Sequence, residues 1–288
     1  MQSHICVTDV EGQYERVVFS TFEHFEAPNW SPDGKYLLLN SRGRLWRLPL
    51  DGPSEPQPVD TGTVSGINND HGISPDGATC AISAGHIYTL PAAGGEPSRI
   101  AQKTPSYFHG WSPDGRTLAY CAQRDGVFNL FAIDVNGGEE VRLTSGRGYD
   151  DGPDYSPDGK WIYFNSDRTG SWCIWRIPAD GAGPDDARAE QITDDALEDW
   201  FPHPSPDGRW LVFVSFPAGT RGHPPNQDVV LRRLPLPGDD VLPRSPIREL
   251  VSLFGGQGTI NVNSWSPDGG HFAYVRYSRD DPQPAGEP

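Results

Sequence analysis

The tetrapeptide Ser-Pro-Asp-Gly occurs six times in this chain, starting at Ser31, Ser74, Ser112, Ser156, Ser205 and Ser266. Successive starts lie 43, 38, 44, 49 and 61 residues apart, close to the period of propeller blades built from four short strands. In each copy Pro presets φ for the second position of a type I turn. Asp can bond the local backbone, and Gly can take the left-handed position that closes a bulged hairpin. After the turns come runs of β-forming residues such as KYLLLN, RTLAYC, KWIYFN, RWLVFV and HFAYVR. A second run follows, RLWRLPL, HIYTLPA, NLFAIDV, CIWRIPA or VVLRRLPL, in most cases leading into a turn such as DG, AGG or NGG. Each unit therefore reads as a four-stranded antiparallel meander.

The two ends complete one another. The last motif is followed by GGHFAYVRY and a polar tail, which supplies two strands, while HICVTDVEGQYERVVFST has the pattern of a third strand, a turn and a fourth. Residues 3–20 are expected to pair with residues 262–278, closing the ring and removing open sheet edges. The fold expected is all-β: a six-bladed propeller in a single domain, 1–288, with 279–288 as a flexible tail.

Composition narrows the function classes. A formal net charge of −16 opposes a phosphate backbone, so nucleic acid is not an expected partner. No apolar run reaches the ~18 residues of a membrane span. The start, MQSHICVTDVEG, has neither a basic nor an apolar leader region, which leads to an expectation of cytoplasmic residence. Cys6, Cys80, Cys121 and Cys173 are scattered through strand-like runs without CxxC spacing and read as buried free thiols. No Walker loop, HExxH helix, GxGxxG unit or EF-hand loop is found.

The pattern W-S-P-D-G, followed by S-x-R-x-G, an I-W-R-I strand and a G-G turn, resembles the repeats of TolB-like propellers, which also occur in tricorn-type proteases. The resemblance covers nearly the whole chain and implies the fold; propellers host unrelated activities, so it does not by itself imply a function. TolB is periplasmic and has a separate N-terminal domain, features not seen in this sequence. Prolyl oligopeptidase relatives add a hydrolase domain, and GISPD and GWSPD here lack the second Gly of a nucleophile elbow.

Strand geometry indicates where ligand chemistry belongs. In a meander the repeated turns share one face, while the blade crossovers and the second-to-third loops share the other. The six segments before the motifs, FEHFEAPN, GINNDHG, PSYFHG, GYDDGPD, EDWFPHP and GTINVNS, enter the innermost strands and converge on the channel mouth. His71, His109, Asp154 and His203 fall two or three residues before the repeat Ser on four consecutive blades. They form a candidate ligand set for a divalent metal (Mn, Zn or Ca), the imidazoles also suiting Fe. The alternative is that each His packs between blades with a nitrogen on backbone. Asn68, Asn69, Asp70, Asp150, Asp151, Asn261 and Asn263, with His223 and Asn226 of a long loop, offer the donors and acceptors that sugar hydroxyls require. Trp200 and Tyr107 are candidates to stack on a pyranose ring, although polar loops and a solvated rim of carboxylates are equally consistent with these residues.

Arg42, Arg124, Arg168 and Arg279 recur at one repeat position, where pairing with repeat carboxylates competes with ligand recognition. Arg221 is less repetitive. Oligogalacturonate lyases, also propellers, offer a distant analogy through an axial His-rich metal site that acidifies the proton beside a uronate carboxylate. By that analogy the metal and Arg221 would stabilise enolate charge, with His109 or Tyr107 among the candidate bases. The expected ligand is therefore a small polar molecule, a sugar or uronate. The rival expectation is a non-catalytic module that captures a protein through Phe22, Phe25, Phe108, Trp200 and Phe201.

Overall fold

A computed structural model describes residues 1–52, 54–146, 148–236 and 246–279; apart from Arg279, the expected tail lies outside the described residues. The fold is the all-β six-bladed propeller read from the repeats. Five sheets have four strands in antiparallel order, and the sixth has three. Blade 1 runs Glu26–Trp30, Tyr36–Ser41, Arg44–Pro49 and Gln57–Pro58. Blade 2 starts at His71–Ile73, blade 3 at Ser106–Trp111, blade 4 at Asp150–Tyr155 and blade 5 at Glu198–Pro204. In blade 6, His271–Ser278 pairs with Gln2–Asp9, which pairs with Glu15–Thr21. Ile5 stands opposite Val275, so the N-terminal strands close the ring as expected. The innermost position of this blade is reduced to a bridge from Trp265 to Phe272.

The repeated turn is a hydrogen-bonded unit in all six copies. The Ser hydroxyl donates to the Asp carboxylate at 2.6–2.7 Å and accepts from the amide five residues on, as from Thr117 to Ser112 at 2.9 Å. The motif glycines have φ between 68° and 76°, the left-handed region that glycine enters without a Cβ penalty.

Both faces of each blade are covered by neighbouring blades, so central strands are apolar without alternation. Leu118, Ala119, Tyr120, Cys121 and Ala122 are all buried. Ala81 and Ile87 of blade 2 pack with Phe108, Leu118 and Phe131 of blade 3. Trp111 Nε1 donates to the Gly72 carbonyl at 3.0 Å, and Trp265 Nε1 to that of His203 at 3.0 Å, so the repeat tryptophans join adjacent blades. The four cysteines are buried and unbridged.

The innermost strands of blades 1, 3, 4 and 5 each carry one extra residue against their partner strand. Ala27, Gly152 and Phe201 sit in these bulges with φ of 52°, 61° and 54°. In blade 3, Phe108 and Gly110 oppose the consecutive residues Tyr120 and Ala119, leaving His109 without a ladder partner. A bulge reverses the alternation of side chains beyond it. Asp151 and Asp154, an odd number of residues apart, can thus both face the channel.

Close contact between blades 3 and 4 depends on Gly110. A Cβ there would lie 2.7 Å from the Pro153 carbonyl oxygen and 3.1 Å from Asp154 Cα, both backbone atoms. Gly110→Ala is expected to destabilise the fold by about 1–3 kcal/mol, the usual cost of overpacking. Urea unfolding would register this as a lower midpoint at constant m; an unchanged midpoint would show that the two backbones are free to separate.

Candidate functional site

All six innermost strands run the same way along the channel, from a crossover end to a Ser-Pro-Asp-Gly end, and the two mouths differ. The Ser-Pro-Asp-Gly end holds a cavity of about 350 Å³ ringed by the motif prolines Pro32, Pro75, Pro113, Pro157, Pro206 and Pro267, with Trp30, Trp111, Tyr155 and Trp265. The crossover end holds a cavity of about 250 Å³. Its walls are Asn68, Asp70, Tyr107, His109, Phe128, Tyr149, Asp151, Phe201, His223, Gln257 and Asn261. His109 lines both cavities and stands between them.

Around His109 the buried charges form one unit. Its Nε2 lies 3.1 Å from Asp151 Oδ1 and 3.9 Å from Asp70 Oδ1, and the side chains of all three are at least nine-tenths buried. His223 Nε2 lies 3.8 Å from the other oxygen of Asp151. Burial favours neutral His109, but Asp70 and Asp151 outweigh it and raise its pKa. For Asp151, burial is outweighed by the His109 bond and charge and by His223, which lower it to about 2. Asp70 is pushed up to about 6, chiefly by burial. The His223 pKa is lowered, again chiefly by burial, with His109 adding to the effect. One carboxylate thus lies between a His whose pKa is raised and a His whose pKa is lowered, an arrangement suited to donating a proton from one side and accepting one on the other.

Several residues singled out from the sequence meet here: Asn68, Asp70, Tyr107, His109, Asp151, His223 and Asn261. Others lie elsewhere. Asp150 is fully buried on Arg168 at 2.8 Å, and Asn69 is buried. Asn263 lines the opposite cavity and donates to Asp154 at 3.0 Å. Asn226, expected in a loop, is an exposed residue at the bulged start of the strand Pro225–Pro235 and lies outside both cavities. Arg221 lines a neighbouring hollow with Glu198, Asp167 and Trp172. Trp200, expected as a sugar platform, is fully buried with its ring centroid 3.8 Å from that of Trp172, and so belongs to the core. Of the aromatic anchors considered for a protein partner, Phe25, Phe108, Trp200 and Phe201 are buried, and Phe22 alone is exposed, at 81%. The repeat arginines pair with carboxylates, Arg42 with Glu23, Arg124 with Glu140 and Arg168 with Asp150. Pairing between blades was the expectation, and the last two pairs correct it: each lies within one blade.

The four positions considered for a metal divide. His203 has both ring nitrogens engaged, Nδ1 with Asp154 at 3.0 Å and Nε2 with the Ile260 carbonyl at 2.7 Å. His71 Nε2 faces the Leu38 carbonyl at 3.4 Å, and burial lowers its pKa to about 4. Among the described residues, the donor atoms that gather within 4.8 Å of one another are those of His109, Cys121 and Asp151. Their chemistry fits a transition metal only if two protons leave: the one between His109 and Asp151, and that of the Cys121 thiol, whose pKa burial and Asp151 raise well above its ordinary value.

Cys121, Phe128, Tyr149 and Gln257 were missed by the sequence reading. Tyr149 precedes Asp150 in a crossover already identified as converging on the channel, so position alone marked it. Phe128 reaches the cavity from the second-to-third hairpin of blade 3, and its ring centroid stands 4.7 Å from that of Tyr149.

Comparisons agree with this architecture. Residues 105–222 match the family model described as the TolB beta propeller domain. An uncharacterised protein of Agrobacterium fabrum is 53% identical over 283 residues, 96% of this chain and 93% of that relative. A solved structure of a provisionally assigned TolB from Agrobacterium tumefaciens superposes with a TM-score of 0.90 at 52% identity, covering 97% of this chain and 99% of that one. An oligogalacturonate lyase in complex with manganese matches with a TM-score of 0.55 at 16% identity, over 88% of this chain and 74% of the lyase, a likeness of fold alone. Among the described residues no helix is long and apolar enough to cross a membrane. Repeats, closure and overall similarity together place the chain in the TolB-like β-propeller family.

Proposed function

We propose that the protein binds a small polar molecule of sugar size in the crossover-end cavity. One observation supports this most: polar side chains from blades 2, 3 and 4, the blade 5 loop and residues 257–261 line a single cavity, whereas the other mouth is ringed by proline and aromatic side chains. Its volume, about 250 Å³, is just below the ~300–1,000 Å³ of sites for larger ligands. Tyr107, Tyr149 and Phe128 supply ring faces, and Asn68, Gln257 and Asn261 supply amides for hydroxyl groups.

Metal-assisted cleavage of a uronate is the less supported use of this site. Among the described residues, no Lys or Arg lines the cavity, while Asp70 and Asp151 do, so a ligand carboxylate would meet repulsion from these two. Saturation-transfer NMR with glucose, galactose and glucuronate tests the proposal. The two neutral hexoses are expected to give signals that vanish in Gln257→Trp, which fills the cavity from its rim, and glucuronate none. Signals that survive in Gln257→Trp, or a preference for glucuronate, would overturn it.

A second reading, a TolB-like interaction module, is favoured by the apolar ring at the opposite mouth. Failure of every sugar to bind, together with retention of an apolar peptide that Trp30→Glu weakens, would transfer the function to that end.

A further inference from the structure

Most buried carboxylates among the described residues lie against an arginine or an imidazole. Asp150 and Asp186 share Arg168, at 2.8 and 3.4 Å, and Asp199 has Arg232 at 2.5 Å. Asp154 has His203 at 3.0 Å, and Asp151 has His109 at 3.1 Å. Glu198 instead takes three neutral donors: the Ser171 hydroxyl and the amides of Trp172 and Gly219. Asp70 differs from both groups. It is 6% exposed, its donors are the side-chain amides of Asn68 and Asn261, and the nearest cation is His109 at 3.9 Å, which Asp151 already holds.

Among the described residues, two carboxylates and no Lys or Arg line the cavity. The carboxylates raise the pKa of His109, while burial lowers that of His223. His109 Nδ1 has no close side-chain partner in a ring that lines the cavity, and as an N–H it suits a ligand oxygen rather than the ammonium itself. In the same lining, the rings of Tyr107, Phe128 and Tyr149 stack in series, with centroids 6.2 and 4.7 Å apart. Aromatic faces beside an uncompensated carboxylate suit an alkylammonium group, which is attracted by both.

We propose that the ligand of this cavity carries an ammonium group, seated between Asp70 and the Tyr107–Phe128–Tyr149 wall: a small amine or amino sugar rather than a neutral sugar or a uronate. This rests on the proposed function and narrows its ligand class. Recognition by a buried carboxylate that shares its one nearby imidazole with Asp151 discriminates against ligands that lack the complementary group.

Isothermal titration with glucosamine, glucose and N-acetylglucosamine, at one pH and salt concentration, tests it. Glucosamine is expected to bind at least tenfold more tightly than the two neutral sugars. Asp70→Asn should abolish that preference while keeping glucose binding, and Tyr149→Leu should weaken glucosamine more than glucose; melting curves confirm that each variant is folded. Because Asp70 must be ionised, glucosamine affinity should rise between pH 5 and 7. The groups facing Asp70 are His109, Asp151, Cys121 and the phenols of Tyr107 and Tyr149. The phenols and the thiol stay protonated over that range, and His109 losing its proton would only strengthen the attraction. Glucose binding as tightly as glucosamine would refute the ammonium inference and leave the sugar-sized site standing. No binding by any of the three would remove both.

Discussion

Replacing Trp200 with Ala is expected to destabilise the protein by about 3–5 kcal/mol, the cost of emptying a large aromatic site in a packed interior. Trp200 is fully buried and clusters with Phe201, Val212, Val214 and Phe216 of its own blade. Its ring centroid lies 3.8 Å from that of Trp172 on one side and 4.4 Å from that of His223 on another. Loss of the ring therefore also frees His223, so ligand affinity should fall even where the variant remains folded. Chemical denaturation of purified wild type and variant measures the first effect. A loss below about 1 kcal/mol would mean that Trp200 is not a core residue and would restore it as a ligand platform.

The second large effect concerns Arg232, which is 4% exposed in blade 5. Its guanidinium donates to Ser215 at 2.6 Å, to both oxygens of Asp195 at 2.6 and 3.2 Å, and to Asp199 at 2.5 Å. Arg232→Met keeps the volume but strands the Asp199 carboxylate. Removing one partner of a buried pair costs about 3–5 kcal/mol. Burial already raises Asp199 to about 6, with Arg232 pulling it down. In the variant burial and the Asp195 charge act against only the Ser215 and Thr193 hydroxyls, so the folded-state pKa rises further. A carboxyl group whose folded pKa lies above its unfolded value destabilises the fold once pH exceeds the unfolded value, and the penalty grows until the folded pKa is passed. The variant should therefore lose most stability at pH 8 and much less at pH 5. Denaturation at the two pH values checks this, and a loss independent of pH would show that packing rather than charge is responsible. Replacing Asp199 with Asn in the same chain should recover part of the loss at pH 8.

Both residues show where the sequence could be read and where it could not. Six copies of one turn located every blade, and the complementary ends led to the expectation that residues 3–20 pair with 262–278, within which Gln2–Asp9 pairs with His271–Ser278. The crossover face was legible because those segments depart from the repeat, and Asp70, His109, Asp151 and His223 were all singled out from it. Trp200 was misjudged because a residue in a crossover segment was taken as exposed; the bulge between Trp200 and His203 instead accompanies a Trp200 ring packed against Trp172. Nothing local in the sequence marks Glu198 and Asp199 as buried, because their partners Ser171 and Arg232 are 27 and 33 residues away.

The metal set failed to gather for a related reason. His71, His109, Asp154 and His203 occupy similar sequence positions, but a one-residue bulge decides which way each side chain points. Asp154 and His203 turn toward one another, and His109 turns to Asp151, a residue that fixed repeat positions did not align with it. Period-two counting contains no signal for such a shift.

A crystal structure of the protein grown with glucosamine is the most direct test of the claim that the crossover-end cavity is the binding site. The account predicts density for one sugar inside that cavity, its ammonium against Asp70 and its ring against Tyr149. An empty cavity with the ligand at the proline-ringed mouth, or no bound ligand at saturating concentration, would contradict it.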